Sequence, residues 1–351
     1  MTSGGPGPDG FGGRADGACL LSVRQMTVGY DGSPAVREIS LDVAPGEIVA
    51  IVGESGSGKT TVIRAVLGLL PPSGRVSSGD MRFEGRSLLG LDRAQWLDLR
   101  RHRMSMVFQD TGAMLNPVRR IGSQFIECIR TADPGSTRER ARERAEAMLA
   151  RMALPDPHRV MDSYAFELSG GMRQRVGIAM AMTFHPALLL ADEPTSALDV
   201  TMQAEIVRQM LALRREEGTA IMIVTHNLGV AAHMADTIMV MRAGRVLELG
   251  PTDRVIDHPT HEYTRGLLGA VLSIESGSGR LHQVPGTVPS PRDFPVGDRF
   301  APRSSHPDYG LDIRPVLTEV GPEHVYAALP PREEVLVASE IIIEEGQEEQ
   351  R

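Results

Sequence analysis

The sequence predicts an α/β fold in which a phosphate-binding loop (P-loop) connects a buried strand to a helix. Residues 53–60 read Gly-Glu-Ser-Gly-Ser-Gly-Lys-Thr, which matches the phosphate-binding pattern G-x-x-x-x-G-K-[ST]. The preceding stretch, Ile48–Val52, is apolar and rich in β-branched residues, as in a buried strand. The following stretch, Thr61–Leu70, has helix-compatible spacing. A second apolar stretch, Ala187–Ala191, indicates another buried strand of the same kind.

The chemistry of the loop explains its residue types. Glycines let the backbone approach a polyphosphate closely, and the loop N–H groups with the helix N-terminus form an anion-binding concavity. We expect Lys59 to reach the β- and γ-phosphates and the Thr60 hydroxyl to bind Mg²⁺. Lys59 is also the only lysine in the sequence, at a place where a planar guanidinium does not replace a compact ammonium. The predicted nucleotide-binding residues here are Gly53, Glu54, Ser55, Gly56, Ser57, Gly58, Lys59, Thr60 and Thr61.

Composition narrows the class of protein. The chain has 351 residues, 41% of them hydrophobic, which is enough for one large domain or a main domain with an appendix. The net charge of −8, without a basic block, does not favour nucleic-acid binding. The two cysteines, Cys19 and Cys128, form no metal-type pair and fit a reducing compartment. No uncharged apolar run approaches about 20 residues, so no membrane span is predicted.

The first part of the chain predicts mainly strands around the loop. Residues 1–19 are expected to be a flexible leader rather than a signal peptide. Leu20–Val28 and Ile39–Val43 have strand-like patterning, and a hairpin is expected between Gly74 and Gly85. Tyr30 stands between the first two strands; an aromatic ring there could stack on a base, although its position alone favours an ordinary tyrosine.

Helices dominate the middle of the chain. Arg93–Arg103 reads as a polar helix, followed by a short strand at Met104–Phe108 and Gln109. Residues from 111 to about 165 are helical, most clearly at Arg138–Met152. Ser169 is expected to cap a helix that runs to about Thr183. Gly170 and Gly171 at its start could meet an anion, and the alternative is a simple loop-to-helix turn.

Polar residues follow the next two predicted strands. Asp192 and Glu193 end the strand Ala187–Ala191, where the first acid can hold Mg²⁺ and the second can act on water. A helix from Thr201 to Glu217 follows, with Gly218 as its C-cap, and then a strand, Ala220–Val224. His226 comes after that strand, where ligands bind in open α/β sheets; a capping or structural histidine is the alternative.

The end of the chain changes in character. A hairpin is predicted over Ile238–Leu249 and a helix over Val255–Val271. From about Glu275 to Pro315, Pro, Gly and Ser indicate a linker and an irregular appendix. Val335–Ile343 is expected to form a terminal strand and 344–351 an acidic tail.

Seven motifs in this order resemble the nucleotide-binding subunits of ABC transporters, over about residues 20–330. They are Tyr30, the loop Gly53–Thr60, Gln109, Leu168-Ser169-Gly170-Gly171, Asp192-Glu193, Ser196-Ala197-Leu198-Asp199 and His226. The segments Leu115–Gly122, His258–Leu268, Val284–Pro289 and Arg299–Arg303 look like the peptide/nickel importer branch of that family.

The resemblance implies a P-loop ABC ATPase core, in which a RecA-like mixed sheet joins an antiparallel β-subdomain. It also implies an inserted helical subdomain at about 111–183 and a small C-terminal extension. The expected limits are 1–19 for the leader, 20–272 for the nucleotide-binding domain, 273–330 for the extension and 331–351 for the strand and tail.

The extension departs from the pattern of the branch. Many relatives carry four cysteines that can hold an iron–sulfur cluster, and the corresponding positions here are Asp298, Ser304, Leu311 and Ala328. Because none of them supplies a thiolate, we expect no iron–sulfur cluster.

The resemblance also implies roles for the site residues. Tyr30 would stack on adenine, and Thr60 and Gln109 would hold Mg²⁺, with Asp192 acting through water. Glu193 would be the general base, and His226 would contact the γ-phosphate and the water. Ser169, Gly170 and Gly171 of a second subunit would close over the ATP, and Asp199 would organise the dimer contact.

The implied function is ATP hydrolysis coupled to the uptake of peptides or a related small solute, such as nickel. The implied partners are a second ABC ATPase subunit, two transmembrane permeases and, indirectly, an extracytoplasmic substrate-binding protein. The expected location is the cytoplasmic side of the cell membrane. The alternative is an ABC ATPase without a transport role, such as a subunit of phosphonate carbon–phosphorus lyase. An unrelated P-loop kinase or GTPase does not account for Leu168–Gly171.

Overall fold

The structure, a computed structural model, describes residues 19–196, 198–275, 295–305 and 307–330. The predicted leader up to residue 18, Ala197, most of the predicted linker, and the predicted terminal strand and tail lie outside the described residues.

The described residues form strands and helices with the following bounds. The strands are β1 Leu21–Tyr30, β2 Ser33–Val43, β3 Ile48–Val52, β4 Gly74–Phe83, β5 Arg86–Ser87, β6 Met104–Val107, β7 Leu188–Asp192, β8 Ala220–Thr225, β9 Thr237–Arg242, β10 Arg245–Pro251, β11 Val316–Gly321 and β12 His324–Ala328. The helices are α1 Lys59–Val66, α2 Arg93–His102, α3 Thr111–Met114, α4 Ile121–Ala132, α5 Arg138–Arg151, α6 Pro157–Asp162, α7 Gly170–Met182, α8 Val200–Glu217, α9 Leu228–Met234, α10 Thr252–Asp257 and α11 Glu262–Glu275. Short 3-10 turns lie at Ala165–Glu167 and Ala301–Arg303.

The larger sheet is mixed and has the strand order β11-β12-β10-β9-β3-β8-β7-β6. Strands β9, β3, β8, β7 and β6 run parallel to one another, whereas β10 pairs antiparallel with β9, and β12 and β11 continue the antiparallel pairing at that edge. Every residue of β3, β7 and β8 is buried, which explains why these strands are continuous apolar runs. The predicted α/β class with a mixed core sheet is therefore confirmed.

The two faces of this sheet belong to two different cores. Ile48, Ala50 and Val52 of β3 join the core that contains the helices α4, α5 and α7. Val49 and Ile51 point to the other core, with α1 and the strands β1, β2 and β4. Because side chains alternate across a strand, β3 holds the helical layer on one face and the second sheet on the other.

The second sheet is antiparallel, with the order β2-β1-β4-β5, in agreement with the expected β-subdomain. The predicted hairpin between Gly74 and Gly85 is wrong, because these residues form a single strand, β4, that pairs with β1. The tight turn follows the end of β4, at Glu84 and Gly85, and leads into the short β5. Gly85 does lie in a turn. The main partner of β4, however, is β1, which begins more than fifty residues earlier in the sequence.

Two further differences concern the second half of the chain. The single helix predicted over Val255–Val271 is instead α10 and α11, separated at His258-Pro259. A residue before proline is disfavoured in helical conformation, and His258 is accordingly non-helical (φ −132°, ψ 54°). Helix α9 and the hairpin β11–β12 were not predicted.

The β11–β12 hairpin, which begins just after the predicted irregular segment, extends the core sheet. Strand β12 pairs with β10 at Leu249 and Val325. The buried Glu248 carboxylate accepts hydrogen bonds from His324 Nε2 (2.8 Å), Thr260 N–H (2.7 Å) and His261 N–H (3.0 Å). A buried carboxylate needs such partners, so this contact joins the end of the chain to the loop before α11.

Replacing His324 by alanine should lower the free energy of unfolding by about 1–3 kcal/mol, because a buried carboxylate loses a hydrogen-bond partner. Denaturant unfolding measures the change. The matched control is His102→Ala at a half-exposed position, which should change stability by less than about 0.5 kcal/mol. Equal losses in the two variants would contradict the role of the Glu248 contact.

Candidate functional site

The P-loop is packed so tightly that two of its positions admit only glycine. Gly53 has φ +148°, and a Cβ there would lie 2.0 Å from the carbonyl oxygen of Met241. Gly58, the residue before α1, has φ +97°, and its Cβ would lie 2.8 Å from a methyl group of Val36. Both conformations are ones that glycine adopts without penalty. The loop therefore lies directly against β9 and β2, with the exposed residues Ser55 and Gly56 at its crown.

Lys59 is folded back into this loop. Its side chain is buried, and Nζ donates to the carbonyl oxygens of Gly53 and Glu54, both at 2.8 Å. Burial lowers the pKa of Lys59, although the negative charges of Glu193, Asp192 and Glu54 oppose that change. An ammonium held by neutral carbonyls in a low-dielectric site is stabilised by a nearby anion. The loop therefore has the charge and the donors to receive a phosphate group.

Thr60 and Asp192 meet beside Lys59. The Thr60 hydroxyl donates to Asp192 Oδ1 at 2.9 Å, and Asp192 is buried at the end of β7. Burial raises the pKa of Asp192, while the Thr60 hydrogen bond and the charge of Arg64 act in the opposite direction. Hydroxyl and carboxylate oxygens are the ligands that Mg²⁺ prefers. A buried carboxylate at this place fits a cation held between the loop and β7.

Glu193, Gln109 and His226 form a second polar group at the same edge of the sheet. The Glu193 carboxylate accepts from Gln109 Nε2 at 3.2 Å and lies 3.2 Å from His226 Nδ1. These residues directly follow the neighbouring parallel strands β6, β7 and β8, and the P-loop follows the adjacent β3. In such sheets the carboxyl ends of the strands form the ligand crevice.

Glu193 has an unusual backbone. Its φ is +45°, and its N–H donates to the carbonyl oxygen of Val224 at 2.8 Å. A non-glycine residue in this region carries strain that the surrounding structure must hold in place. The strained turn aims the carboxylate at Gln109 and His226 while keeping its backbone hydrogen-bonded to β8.

Tyr30 and Thr61 connect the β1 end to the start of α1. The Tyr30 hydroxyl and Thr61 Oγ1 are 3.1 Å apart. A Cβ added at Gly74 would lie 2.7 Å from the Tyr30 ring, so this glycine makes space for the ring. The ring is partly exposed next to the loop helix.

The residues predicted for a second subunit lie apart from this group. Ser169 caps α7 by accepting from Met172 N–H at 3.2 Å, and Asp199 caps α8 by accepting from Met202 N–H at 2.9 Å. Ser169, Gly170 and Asp199 are exposed, and a Cβ at Gly170 would meet nothing within 4 Å. Within the described ranges, no hydrogen bond joins them to the P-loop. They form an open face on the same chain.

Two residues that contact the P-loop were missed by the sequence reasoning. The Tyr263 hydroxyl accepts the N–H of Glu54 at 3.1 Å. Arg303 Nη1 lies 3.0 Å from both carboxylate oxygens of Glu54. A tyrosine on an apolar helix face and an arginine in an irregular appendix give no sign of this contact. The available signal in the sequence was Glu54 itself. An acid inside an anion-binding loop indicates that a positively charged partner lies nearby.

The fold and this polar edge define the chain as a P-loop nucleoside triphosphatase. The profile of the ABC transporter family matches residues 36–196, and the profile of the oligopeptide/dipeptide transporter C-terminal region matches residues 247–307. The chain belongs to the ABC transporter ATP-binding proteins of the oligopeptide/dipeptide type.

Two curated relatives illustrate the similarity. The oligopeptide transport ATP-binding protein OppD of Salmonella typhimurium is 40% identical over 90% of this chain and 95% of its own length. The dipeptide transport ATP-binding protein DppD of Lactococcus lactis is 38% identical over 87% of this chain and 89% of its own.

Solved ABC structures show the same architecture at lower identity. The chain is similar to cbiO1 of Clostridium perfringens, part of the ABC transporter complex cbiONQ, with 27% identity and a TM-score of 0.61. This match covers 68% of this chain and 91% of cbiO1. It is also similar to the dimeric ATP-binding cassette MJ0796 in a post-hydrolysis state bound to ADP and Pi, with 27% identity and a TM-score of 0.59, over 66% and 98% of the two chains.

A Gly53→Ala variant should bind Mg-ATP at least about tenfold more weakly, because the added Cβ meets a backbone oxygen that cannot move aside (2.0 Å). Titration with a fluorescent ATP analogue measures the affinity. The control is Gly85→Ala, a glycine that also has positive φ (+76°) but has nothing within 4 Å of its Cβ position. If both variants bind ATP like the unmodified protein, the close approach at Gly53 does not matter to the site.

Proposed function

We propose that this chain is the ATP-hydrolysing subunit of an ABC importer that takes up peptides. The proposal rests on one observation. Lys59, the Thr60–Asp192 pair, and Glu193 with its contacts lie together at one edge of the parallel sheet. The named relatives are oligopeptide and dipeptide transport ATP-binding proteins. The match of the C-terminal region to that transporter type favours import over the alternative role in carbon–phosphorus lyase.

ATP would be held as substrate by the loop and the residues around it. Lys59 and the loop N–H groups would bind the phosphates, and Tyr30 would stack on the adenine. The start of α7, where Ser169 and Gly170 are exposed and Gly171 is buried, would meet the same nucleotide from a second ABC ATPase subunit. A helix N-terminus offers N–H donors and positive potential to an anion, so the nucleotide would join two protein faces. Asp199 would organise that contact.

Mg²⁺ would be held by Thr60 and Gln109, with Asp192 acting through water. The ion would neutralise charge on the phosphates during hydrolysis. Asp192 and Thr60 already contact each other, so the chain's own contribution is to keep these oxygen donors together on the rigid β7 and α1.

Glu193 would act as general base. Its carboxylate would take a proton from a water molecule, whose oxygen attacks the γ-phosphorus while the bond to the β-phosphate oxygen breaks, leaving ADP and phosphate. His226 lies within reach of the same carboxylate and would orient the water and the γ-phosphate. Cleavage would remove the phosphate that links the two subunits and would allow the dimer to open.

Coupling to transport would use a groove beside Gln109. This groove, of about 590 Å³, lies between β6, α3, α4 and α7 and is lined mainly by apolar side chains. They include Met106, Phe108, Met114, Leu115, Met180 and Phe184. Gln109 is two residues before α3, so a movement of the helices would shift this side chain at the edge of the sheet. We propose that a cytoplasmic segment of a permease lies in this groove.

The proposed location follows from these partners. None of the helices in the described part of the chain is long and apolar enough to cross a membrane. The subunit would bind from the cytoplasmic side to two transmembrane permeases, which receive the solute from an extracytoplasmic binding protein. The absence of an iron–sulfur cluster stays a prediction.

Replacing Glu193 by glutamine should lower the ATP turnover rate by about 10²–10⁴-fold, because the base is lost. The glutamine at position 193 keeps a carbonyl oxygen that can accept from Gln109 Nε2, so ATP affinity and ATP-dependent dimerisation should stay within a few fold. Phosphate release and analytical ultracentrifugation measure the two properties. Glu216→Gln, an exposed acid that pairs with Arg151, is the control. Unchanged turnover in Glu193→Gln would remove Glu193 from the base role.

Purification of the tagged subunit from its native membrane should recover two multi-span permeases in a fixed ratio. Cells that carry only the Glu193→Gln subunit should lose uptake of labelled di- or oligopeptides. Charged substitutions in the groove, such as Met114→Glu at an exposed position (57%), should reduce permease recovery but leave ATP binding intact. Recovery of soluble enzymes without permeases would favour the non-transport alternative.

A further inference from the structure

We propose that Arg303 and Tyr263 are positioning residues for the ATP site: together they hold Glu54 of the P-loop, and Arg303 cancels its charge. The proposal rests on the ATP-binding role of the loop and adds the C-terminal extension to it. ATP affinity would then depend on the extension that follows the ATPase core.

Glu54 is held at three separate points. Its backbone N–H donates to the Tyr263 hydroxyl at 3.1 Å, and its carbonyl oxygen accepts from Lys59 Nζ at 2.8 Å. Its carboxylate accepts from Arg303, with Nη1 at 3.0 Å from each oxygen. The second residue of the loop therefore has its N–H, its carbonyl and its side chain all fixed. Two of these three contacts come from residues more than 200 positions away in the sequence.

The two holding residues are themselves rigid. Tyr263 is fully buried, and the Arg303 side chain is only 6% exposed. The Phe300 ring packs edge-on against Tyr263 (centroids 5.7 Å apart), and the Arg242 guanidinium lies 5.1 Å from the Phe300 ring centre. Arg303 ends the 3-10 turn and donates its N–H to the Phe300 carbonyl at 2.8 Å. A positioning group must be held in this way to fix the geometry of a site.

The extension also acts on the loop indirectly, through the turn between β9 and β10. Arg299 donates to the carbonyl oxygen of Ala243, and the next residue, Gly244, donates its N–H to the carbonyl oxygen of Ser57 at 2.9 Å. Gly244 has φ +79°, and a Cβ there would lie 1.9 Å from the Ala35 carbonyl oxygen. The turn between β9 and β10 is thus clamped between the extension and the P-loop.

The Arg303 contact also changes the net charge next to the P-loop. The Glu54 side chain is 23% exposed and carries a negative charge in a loop that receives the polyanionic phosphates of ATP. Like charges repel one another at close range, most strongly where water is partly excluded. Arg303 makes the pair neutral. Without it, Glu54 would compete with ATP for Lys59, whose Nζ already lies at the Glu54 carbonyl.

The test is a double-mutant cycle on the full chain, read as the Kd for Mg-ATP and as separate kcat and KM values. Arg303→Ala should raise Kd and KM by about tenfold, because a charge-assisted hydrogen-bonded pair is lost. The same variant should change kcat by less than about threefold. Glu54→Gln combined with Arg303→Ala should recover most of this affinity, because the uncompensated charge is gone. Tyr263→Phe, which removes only the hydroxyl, should raise KM by a few fold.

The matched control is Arg314→Ala. Arg314 also joins the extension to the core through an ion pair, with Glu38, but does not contact the P-loop. Its loss should leave Kd, KM and kcat unchanged. Thermal unfolding of each variant shows whether the fold is kept; if Arg303→Ala does not fold, Tyr263→Phe and the double variant decide the matter.

The outcomes distinguish a failure of the proposed function from a failure of the positioning role. If the unmodified protein binds no Mg-ATP, the proposed function fails. If it binds Mg-ATP but Arg303→Ala and Tyr263→Phe bind equally well, the positioning role is wrong. If Arg303→Ala binds weakly and Glu54→Gln does not restore binding, charge compensation by Arg303 is wrong.

Discussion

The structure depends on one ammonium group that is buried without an anionic hydrogen-bond partner. Lys59 Nζ is held by two backbone carbonyls inside a loop where Gly53 and Gly58 leave no room for a side chain. Burying a charge is costly unless a counter-charge is near. The surrounding carboxylates Asp192 and Glu193 have their own contacts with Thr60, Gln109 and His226. The site is therefore built to receive an anion, and a nucleoside triphosphate provides one.

The parallel sheet makes this arrangement possible. Strands β3, β8, β7 and β6 lie side by side with the same direction, so the residues after their carboxyl ends reach one crevice. Each strand contributes a different chemical group: an ammonium, a histidine, two acids and an amide. The strained backbone of Glu193 is held because its N–H completes the hydrogen bonding of β8. The rigid buried strands fix the positions, and the short segments after them carry the chemistry.

The C-terminal extension contacts both the core sheet and the P-loop. Its hairpin adds two strands to the edge of the core sheet, and its 3-10 turn contacts the P-loop. The family region that matches residues 247–307 contains both Tyr263 and Arg303. Family members of the peptide type thus carry, next to the common ATP-binding core, a segment that in this chain closes onto the loop. In this chain the extension contacts the P-loop through Arg303 and Glu54.

The sequence by itself determined the class of fold, the P-loop and the polar residues at the carboxyl edge of the sheet. These features are local: glycines at fixed spacing, the single lysine, and polar residues directly after apolar strands such as Leu188–Asp192. Only the tertiary structure decided that β4 pairs with β1, that a hairpin of the extension joins the core sheet, and that Arg303 meets Glu54 across 249 residues. The physical reason is that hydrophobic period and turn chemistry act over a few neighbouring residues, whereas an ion pair or a strand partner is chosen by packing of the whole chain.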